Sequence, residues 1–238
     1  MAKDLFVKKS EFIISTKKLA TFFPSLNSEE LDLLLQSSTE LKVKREQNIF
    51  VAGEKAYSIY FIVSGCVKFT NECEKNKSII SSLSKDGDCF GILEMFSKSP
   101  YYERTCTAIT NCELISTPHV AITGIGEKNC SVYLDFLRKV CSHTGMLYNR
   151  IEGVRYKTAR QRLASCFLEI YPYFTKRDPS NKVHLTRSDF SDLSDMTPET
   201  VSRVFSEIKK LGAVTGSITD FEILDINLLK EISEEKSN

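Results

Sequence analysis

The chain has 238 residues, 42% hydrophobic and 26% charged, so it is globular and long enough for one large domain or two modest ones. No uninterrupted apolar run approaches the ~18 residues that cross a bilayer, and Met1-Ala2-Lys3-Asp4-Leu5-Phe6 lacks the apolar core of a secretory signal. The expectation is a soluble, cytoplasmic protein that makes no use of membranes. Net charge is only +1, but residues 150–210 hold 12 Lys+Arg against 8 Asp+Glu, and beyond Lys210 the balance reverses to 2 against 6. A basic segment followed by an acidic end is compatible with phosphate contact and equally with an ordinary solvated surface.

Residues 17–37 read as short helices. Leu19, Phe22 and Phe23 precede Pro24, and Asn27 or Ser28 is placed to cap a run containing Leu31, Leu33, Leu34 and Leu35. The period then changes to two in Leu41–Lys44, Ile49–Val51, Ser58–Val63, Cys66–Thr70, Ser78–Leu83 and Glu113–Ser116, with Gly53-Glu54 and Ser64-Gly65 as turns. Many short strands joined by polar turns indicate a β-barrel or jelly roll over residues 40–118.

From Asn129 the period becomes helical. Tyr133, Leu137, Val140, Thr144, Leu147, Ile151 and Val154 recur in alternating steps of four and three, the seam of a helix packed lengthwise on a second copy. The same spacing serves a helix packed on its own domain. Ala159–Phe174 reads as a further helix, ended by Pro172 and a loop at 176–181.

Thr186 can cap a helix whose third residue is Asp189, with Phe190 and Leu193 on one face. Thr197 caps a second helix, Pro198 takes its first position, and Gly212 stops it. Val201, Val204, Phe205 and Ile208 lie on the side to be buried. Glu199, Ser202 and Arg203 share the opposite face within one turn. An exposed Arg can fork onto guanine O6 and N7, and a Glu can accept from cytosine N4. The competing reading is a Glu199–Arg203 surface ion pair. A hairpin centred on Gly216, from Ala213 to Leu224, makes the motif a winged helix-turn-helix.

The eight cysteines, Cys66, Cys73, Cys89, Cys106, Cys112, Cys130, Cys141 and Cys166, form no C-x-x-C pair and no zinc-finger spacing, so reduced and mostly buried thiols are expected and no metal site. A nucleophile elbow, P-loop, dinucleotide fingerprint and H-E-x-x-H are all missing, so no catalytic residue is expected and the chain is read as a non-enzyme.

The order β-roll, long helix, winged helix-turn-helix resembles the Crp/Fnr family of bacterial regulators over roughly residues 20–235. Three stretches carry the likeness: Gly53-Glu54-Lys55-Ala56 with Ile59 to Lys68; Asp86-Gly87-Asp88-Cys89-Phe90-Gly91 leading to Arg104-Thr105 and Ala108; and Thr197-Pro198-Glu199-Thr200-Val201-Ser202-Arg203. The resemblance implies an α+β chain. Residues 1–128 would be a cyclic-nucleotide-binding-like effector domain, 129–156 a dimerisation helix and 157–238 the DNA-binding domain. It implies a homodimer that regulates transcription on double-stranded DNA, with RNA polymerase as a further partner.

By the same resemblance, Glu199, Ser202, Arg203, Thr197, Thr200, Thr186 and Arg187 contact DNA. The Glu-x-x-Ser-Arg pattern is similar to the Fnr reader and implies an inverted repeat of TTGA-like half-sites. Gly91, Ile92, Arg104, Thr105 and Leu147 occupy the effector pocket. Cyclic-nucleotide binders carry Glu after the glycine to grip the ribose; here Ile92 stands there, so an effector other than cyclic AMP is expected. Iron-sulfur members gather cysteines near the N-terminus, whereas the first here is Cys66. The effector stays open among haem through His119, His143 or a Cys, a thiol switch, an unidentified small ligand, or none with constitutive activity. The alternative function is a cyclic-nucleotide-binding regulatory module without DNA binding.

Overall fold

The computed structural model describes residues 19–73, 77–174 and 185–235. The loop expected at 176–181 lies outside them. Contacts divide the chain into two compact units, residues 1–78 with 82–144 and residues 145–238 with 79–81.

In the first unit a helical turn at 19–22 precedes α1 (Ser28–Gln36). Asn27, rather than Ser28, is its cap: Asn27 Oδ1 accepts from Glu30 N at 3.0 Å, and the Glu30 carboxylate accepts from Asn27 N at 2.9 Å. Strands β1 (Thr39–Val43), β2 (Asn48–Phe50), β3 (Ser58–Ser64), β4 (Cys66–Cys73), β5 (Lys77–Lys85), β6 (Cys89–Phe90), β7 (Thr105–Ala108) and β8 (Cys112–Pro118) follow. They form two four-stranded sheets ordered β1-β8-β3-β6 and β2-β7-β4-β5, the β-roll expected.

β3 shows why the period-two pattern fixes this arrangement. Ile59 and Phe61 point to one face and Ile62 to the other, and all three are buried. On the outer face they meet a helical layer, α1 with Phe22, Phe23, Ile122 and Phe136. On the inner face Ile62, Phe90 and Leu114 meet Phe50, Val67, Phe69 and Cys106 of the second sheet. Strands β6 and β7, two and four residues long, were not legible as strands. Two short helices were also unforeseen, α2 (Ile92–Phe96) and α3 (His119–Gly126). Two glycines and four β-branched residues give α3 weak intrinsic helicity, and burial of Ile122 and Ile125 outweighs it.

Helix α4 (Ser131–Tyr156) is continuous over 26 residues. Val132 and Phe136 are buried in the outer-face core, and the carboxylate of buried Asp135 accepts from Ser25 N at 3.1 Å. Tyr133 and Val140 pack on that same core.

The second unit contains α5 (Ala159–Phe174), α6 (Arg187–Ser194), α7 (Pro198–Lys210), β9 (Val214–Ser217), β10 (Asp220–Ile223) and α8 (Ile226–Glu234). Helix α5 continues two residues beyond Pro172. Its centre is four phenylalanines: Phe167 lies 5.5 Å from Phe190, 6.2 Å from Phe205 and 4.8 Å from Phe221 between ring centroids. The hairpin turns at Ile218-Thr219 rather than at Gly216, since Ser217 pairs with Asp220. Gly216 sits inside β9 with φ +85°, where a Cβ would stand 2.2 Å from Asp220 O. Close backbone approach, not the turn, requires that glycine.

Candidate nucleic-acid interface

Both helix starts form as their residues dictate. Thr186 Oγ1 accepts from Asp189 N at 3.1 Å while the Asp189 carboxylate accepts from Thr186 N at 2.8 Å, which opens α6. The helix closes on Asp195, whose φ of 51° and ψ of 54° are left-handed, a conformation Asp tolerates better than most residues. Met196 N then donates to Ser191 O at 3.1 Å, and Ser191 Oγ bonds back to Met196 O. This tight turn delivers Thr197, which caps α7 by accepting from Thr200 N at 3.3 Å, with Pro198 in the first turn.

Val201, Val204, Phe205 and Ile208 are buried as expected. Their burial leaves Glu199 and Arg203 exposed and Ser202 half-buried on the outer face. The anticipated Glu199–Arg203 pair does not form. Arg203 instead turns toward the helix C-terminus, and its Nη1 donates to Glu207 Oε1 at 2.7 Å. Glu199 makes no hydrogen bond or ion pair among the described residues and faces solvent. Ser202 Oγ donates to Pro198 O at 3.0 Å, and Thr197 and Thr200 share a contact of 3.1 Å between hydroxyls. Arg187 is exposed in the first turn of α6. Thr186 and Thr197 each cap one N–H, and Arg187 adds an exposed positive charge that can meet an anion such as a phosphate. Lys209 Nζ donates to Gly216 O at 2.7 Å and ties the end of α7 to the hairpin. Sequence reasoning missed Glu207, although its spacing of four from Arg203 was a usable signal.

The effector residues divide between the units. Gly91 has φ +87°, and a Cβ there would stand 2.6 Å from Ser58 O. Ile92 is buried. Arg104 Nη1 donates to Ser82 Oγ at 3.3 Å, and its guanidinium lies 4.8 Å over the Phe69 ring. Thr105 Oγ1 accepts from Ala52 N at 3.1 Å. Leu147 belongs to the second unit and is exposed there. Phe50 of β2 stacks on Tyr102 at 3.7 Å, and within the other sheet Tyr60 of β3 stacks on its strand neighbour Phe90 of β6 at 5.1 Å. Burial raises the Asp88 carboxyl above its usual range. Burial lowers His143, and the Arg104 charge adds to the effect; burial also lowers His119.

Cys66, Cys106, Cys112 and Cys166 are buried, while Cys130 and Cys141 are exposed. Burial drives the Cys66 and Cys106 thiols up and Cys89 to about 12, so all three stay protonated at neutral pH. Among the described residues no group of three or more His, Cys, Asp or Glu is arranged to hold a metal.

Along α4 the residues of the expected seam divide between two faces. Tyr133 and Val140 face their own core, whereas Leu137, Thr144, Leu147 and Ile151 are exposed. The side chain of Val154 lies outside the described residues. The exposed apolar stripe runs Leu134, Leu137, Cys141, Thr144, Tyr148 and Ile151, again in steps of three and four. Thr144 fits such a stripe because its Oγ1 donates to Val140 O at 2.9 Å, leaving the methyl to face outward.

A family model described as a cyclic nucleotide-binding domain matches residues 40–129, and one described as a Crp-like helix-turn-helix domain matches residues 161–232. The chain belongs to the Crp/Fnr family of DNA-binding transcription regulators. An anaerobic regulatory protein of Haemophilus influenzae is 26% identical over 216 residues, covering 88% of this chain and 82% of that protein. The fumarate and nitrate reduction regulatory protein of Escherichia coli is 25% identical over 205 residues, 83% of this chain and 81% of its own. In fold the chain is similar to FixK2 from Bradyrhizobium japonicum, with TM-score 0.69, 19% identity, and 84% and 99% of the two chains covered. A Crp/Fnr-family regulator of Thermus thermophilus superposes with TM-score 0.70 at 20% identity, covering 83% and 100%.

As a Crp/Fnr regulator the chain belongs to a family of transcription factors and not of enzymes. The Crp-like match over 161–232 removes the reading of a cyclic-nucleotide module without a DNA-binding domain. Among the described residues no helix is long and apolar enough to cross a membrane.

Proposed function

We propose that this Crp/Fnr regulator acts in the cytoplasm as a homodimer, reads an inverted repeat of TTGA-like half-sites, and responds to an effector other than cyclic AMP. The observation that carries the reading is the outward set Glu199, Ser202 and Arg203 on the first two turns of α7, where a helix-turn-helix meets base edges. Arg203 takes guanine, Glu199 accepts from cytosine, and Ser202 contacts a base edge or phosphate. Thr186, Arg187, Thr197 and Thr200 hold the phosphates on either side. The apolar stripe of α4, Leu137, Thr144 and Ile151 among it, with exposed Leu147 beside it, closes on a second copy and sets the two α7 helices about 34 Å apart, one turn of DNA.

The aromatic packing between the sheets supports the effector reading. In this reading Gly91, Arg104 and Thr105 border a roll whose interior is filled by Phe50, Tyr60, Phe90 and Tyr102, with Arg104 over the Phe69 ring, while Ile92 packs into the outer-face core and offers no carboxylate to a ribose. RNA polymerase is the partner through which bound DNA becomes a transcriptional output.

The test is fluorescence anisotropy on a duplex carrying the inverted repeat, against duplexes substituted at each half-site base. Arg203→Ala should cost about 1–3 kcal/mol and relax readout at the guanine. Unchanged affinity and unchanged base preference refute the assignment. Added cyclic AMP should leave the binding curve where it was.

A further inference from the structure

We infer that Glu207 is a specificity-determining residue, acting on DNA readout through Arg203. The inference rests on Arg203 being the guanine reader. Arg203 and Glu207 stand one helical turn apart on α7, and Nη1 meets Oε1 at 2.7 Å with side chains 65% and 42% exposed. Neither is buried, so the pair adds little to helix stability. Its consequence lies in where it leaves the guanidinium. One N–H of Nη1 is engaged, and the remaining donors stay free in the fixed plane of the fork, enough for the two acceptors of a guanine edge.

Without the carboxylate, Arg203 is a long cation with several rotamers, and the nearest anions on any duplex are phosphates, which carry no sequence. Glu207 acts in two ways. It tethers the fork in one place on the outer side of α7, one turn toward the C-terminus from Arg203, and it puts a negative charge there that repels a backbone approaching out of register. Ser206, also on this side, donates to Ser202 O at 2.9 Å and carries no charge with which to hold the guanidinium. Lys209 is held by Gly216 O at 2.7 Å. Among the described residues, Glu207 is the only acid that pairs with Arg203.

The experiment compares wild type, Glu207→Gln, Arg203→Ala and the double variant on the TTGA repeat, on a guanine-substituted repeat and on random duplex, each over a series of salt concentrations. For Glu207→Gln, random-duplex affinity should rise and the ratio of specific to non-specific affinity should fall about tenfold, the scale of one base contact. The log–log salt slope on random duplex should steepen by about 0.9, one added phosphate contact. In the Arg203→Ala background, Glu207→Gln should leave the ratio unchanged. Circular dichroism checks that all four fold. Equal gains on specific and random DNA, or an unchanged ratio, overturn the role of Glu207 while leaving Arg203 as the reader. A ratio that still falls in the Arg203→Ala background overturns the coupling. Retention of guanine preference by Arg203→Ala overturns the underlying reading instead.

Discussion

Replacing Phe167 by Ala should disable DNA binding without touching any residue that meets DNA. Phe167 is fully buried in α5 and its ring contacts Phe190 of α6, Phe205 of α7 and Phe221 of β10. Every element of the helix-turn-helix and its hairpin therefore rests on one side chain. Truncation of a buried Phe costs about 3–5 kcal/mol, and three edge or tilted ring contacts place this site toward the upper end. A unit of this size has about 5–10 kcal/mol in total, so the variant retains a small margin at best. Phe167→Leu keeps most of the volume and should cost less, about 1.5–2.5 kcal/mol, since the ring contacts go but no large cavity remains. The assay is urea unfolding followed by circular dichroism at 222 nm, alongside anisotropy on specific DNA at 15 and 37 °C. Loss of affinity at 37 °C with recovery at 15 °C is expected for Phe167→Ala. A transition displaced by less than 1 kcal/mol would show that the four-ring cluster does not hold the unit together.

Three further outcomes test other parts of the molecule. Gly91→Ala should destabilise the first unit by about 1–3 kcal/mol, because φ is +87° and the new Cβ meets the backbone at Ser58 O; calorimetry should show the second unit's transition unmoved. Leu137→Glu places a charge on the exposed stripe of α4, and sedimentation should show the proposed dimer dissociating; an unchanged mass would remove that stripe as the interface. His119 and His143 both have folded pKa values lowered by burial, so the unfolded chain takes up protons first as pH falls through about 6.5. Stability should therefore drop below that pH until the folded histidines protonate as well. Replacing both by Gln should flatten the decline, measured as urea midpoint against pH, and a slope that is unaltered counts against the assignment.

What the sequence disclosed follows from how local each signal is. Caps were readable because Asn27, Thr186 and Thr197 act on N–H groups three residues away. The long β3 and β8 were readable because alternate residues serve two cores. Strand β6 was not, since two residues show no period, and β7 was not, since Thr105-Cys106-Thr107-Ala108 has no large apolar side chain to mark its buried face. The two faces of α4 were not separable in the sequence for a different reason. That helix has two apolar faces, and a count of apolar positions cannot tell Tyr133 and Val140, which face inward, from Leu134 and Tyr148, which do not. The misplaced turn came from taking Gly216 as a turn signal when backbone crowding inside β9 demands it. At the candidate interface the outward face of α7 was legible, but the partner of Arg203 was not, because rotamer choice decides between Glu199 and Glu207.

The stacked rings of the roll also bear on timing. Phe50 of one sheet lies 5.8 Å from Tyr60 and 5.9 Å from Phe90 of the other, and Phe69 lies 5.3 Å from Phe90, so these rings join the two sheets. A small molecule seeking entry must wait for those rings to separate, so the rate of occupancy would level off as its concentration rises, at the frequency with which the roll opens. Such a sensor averages over brief pulses of its signal and answers only to a sustained one.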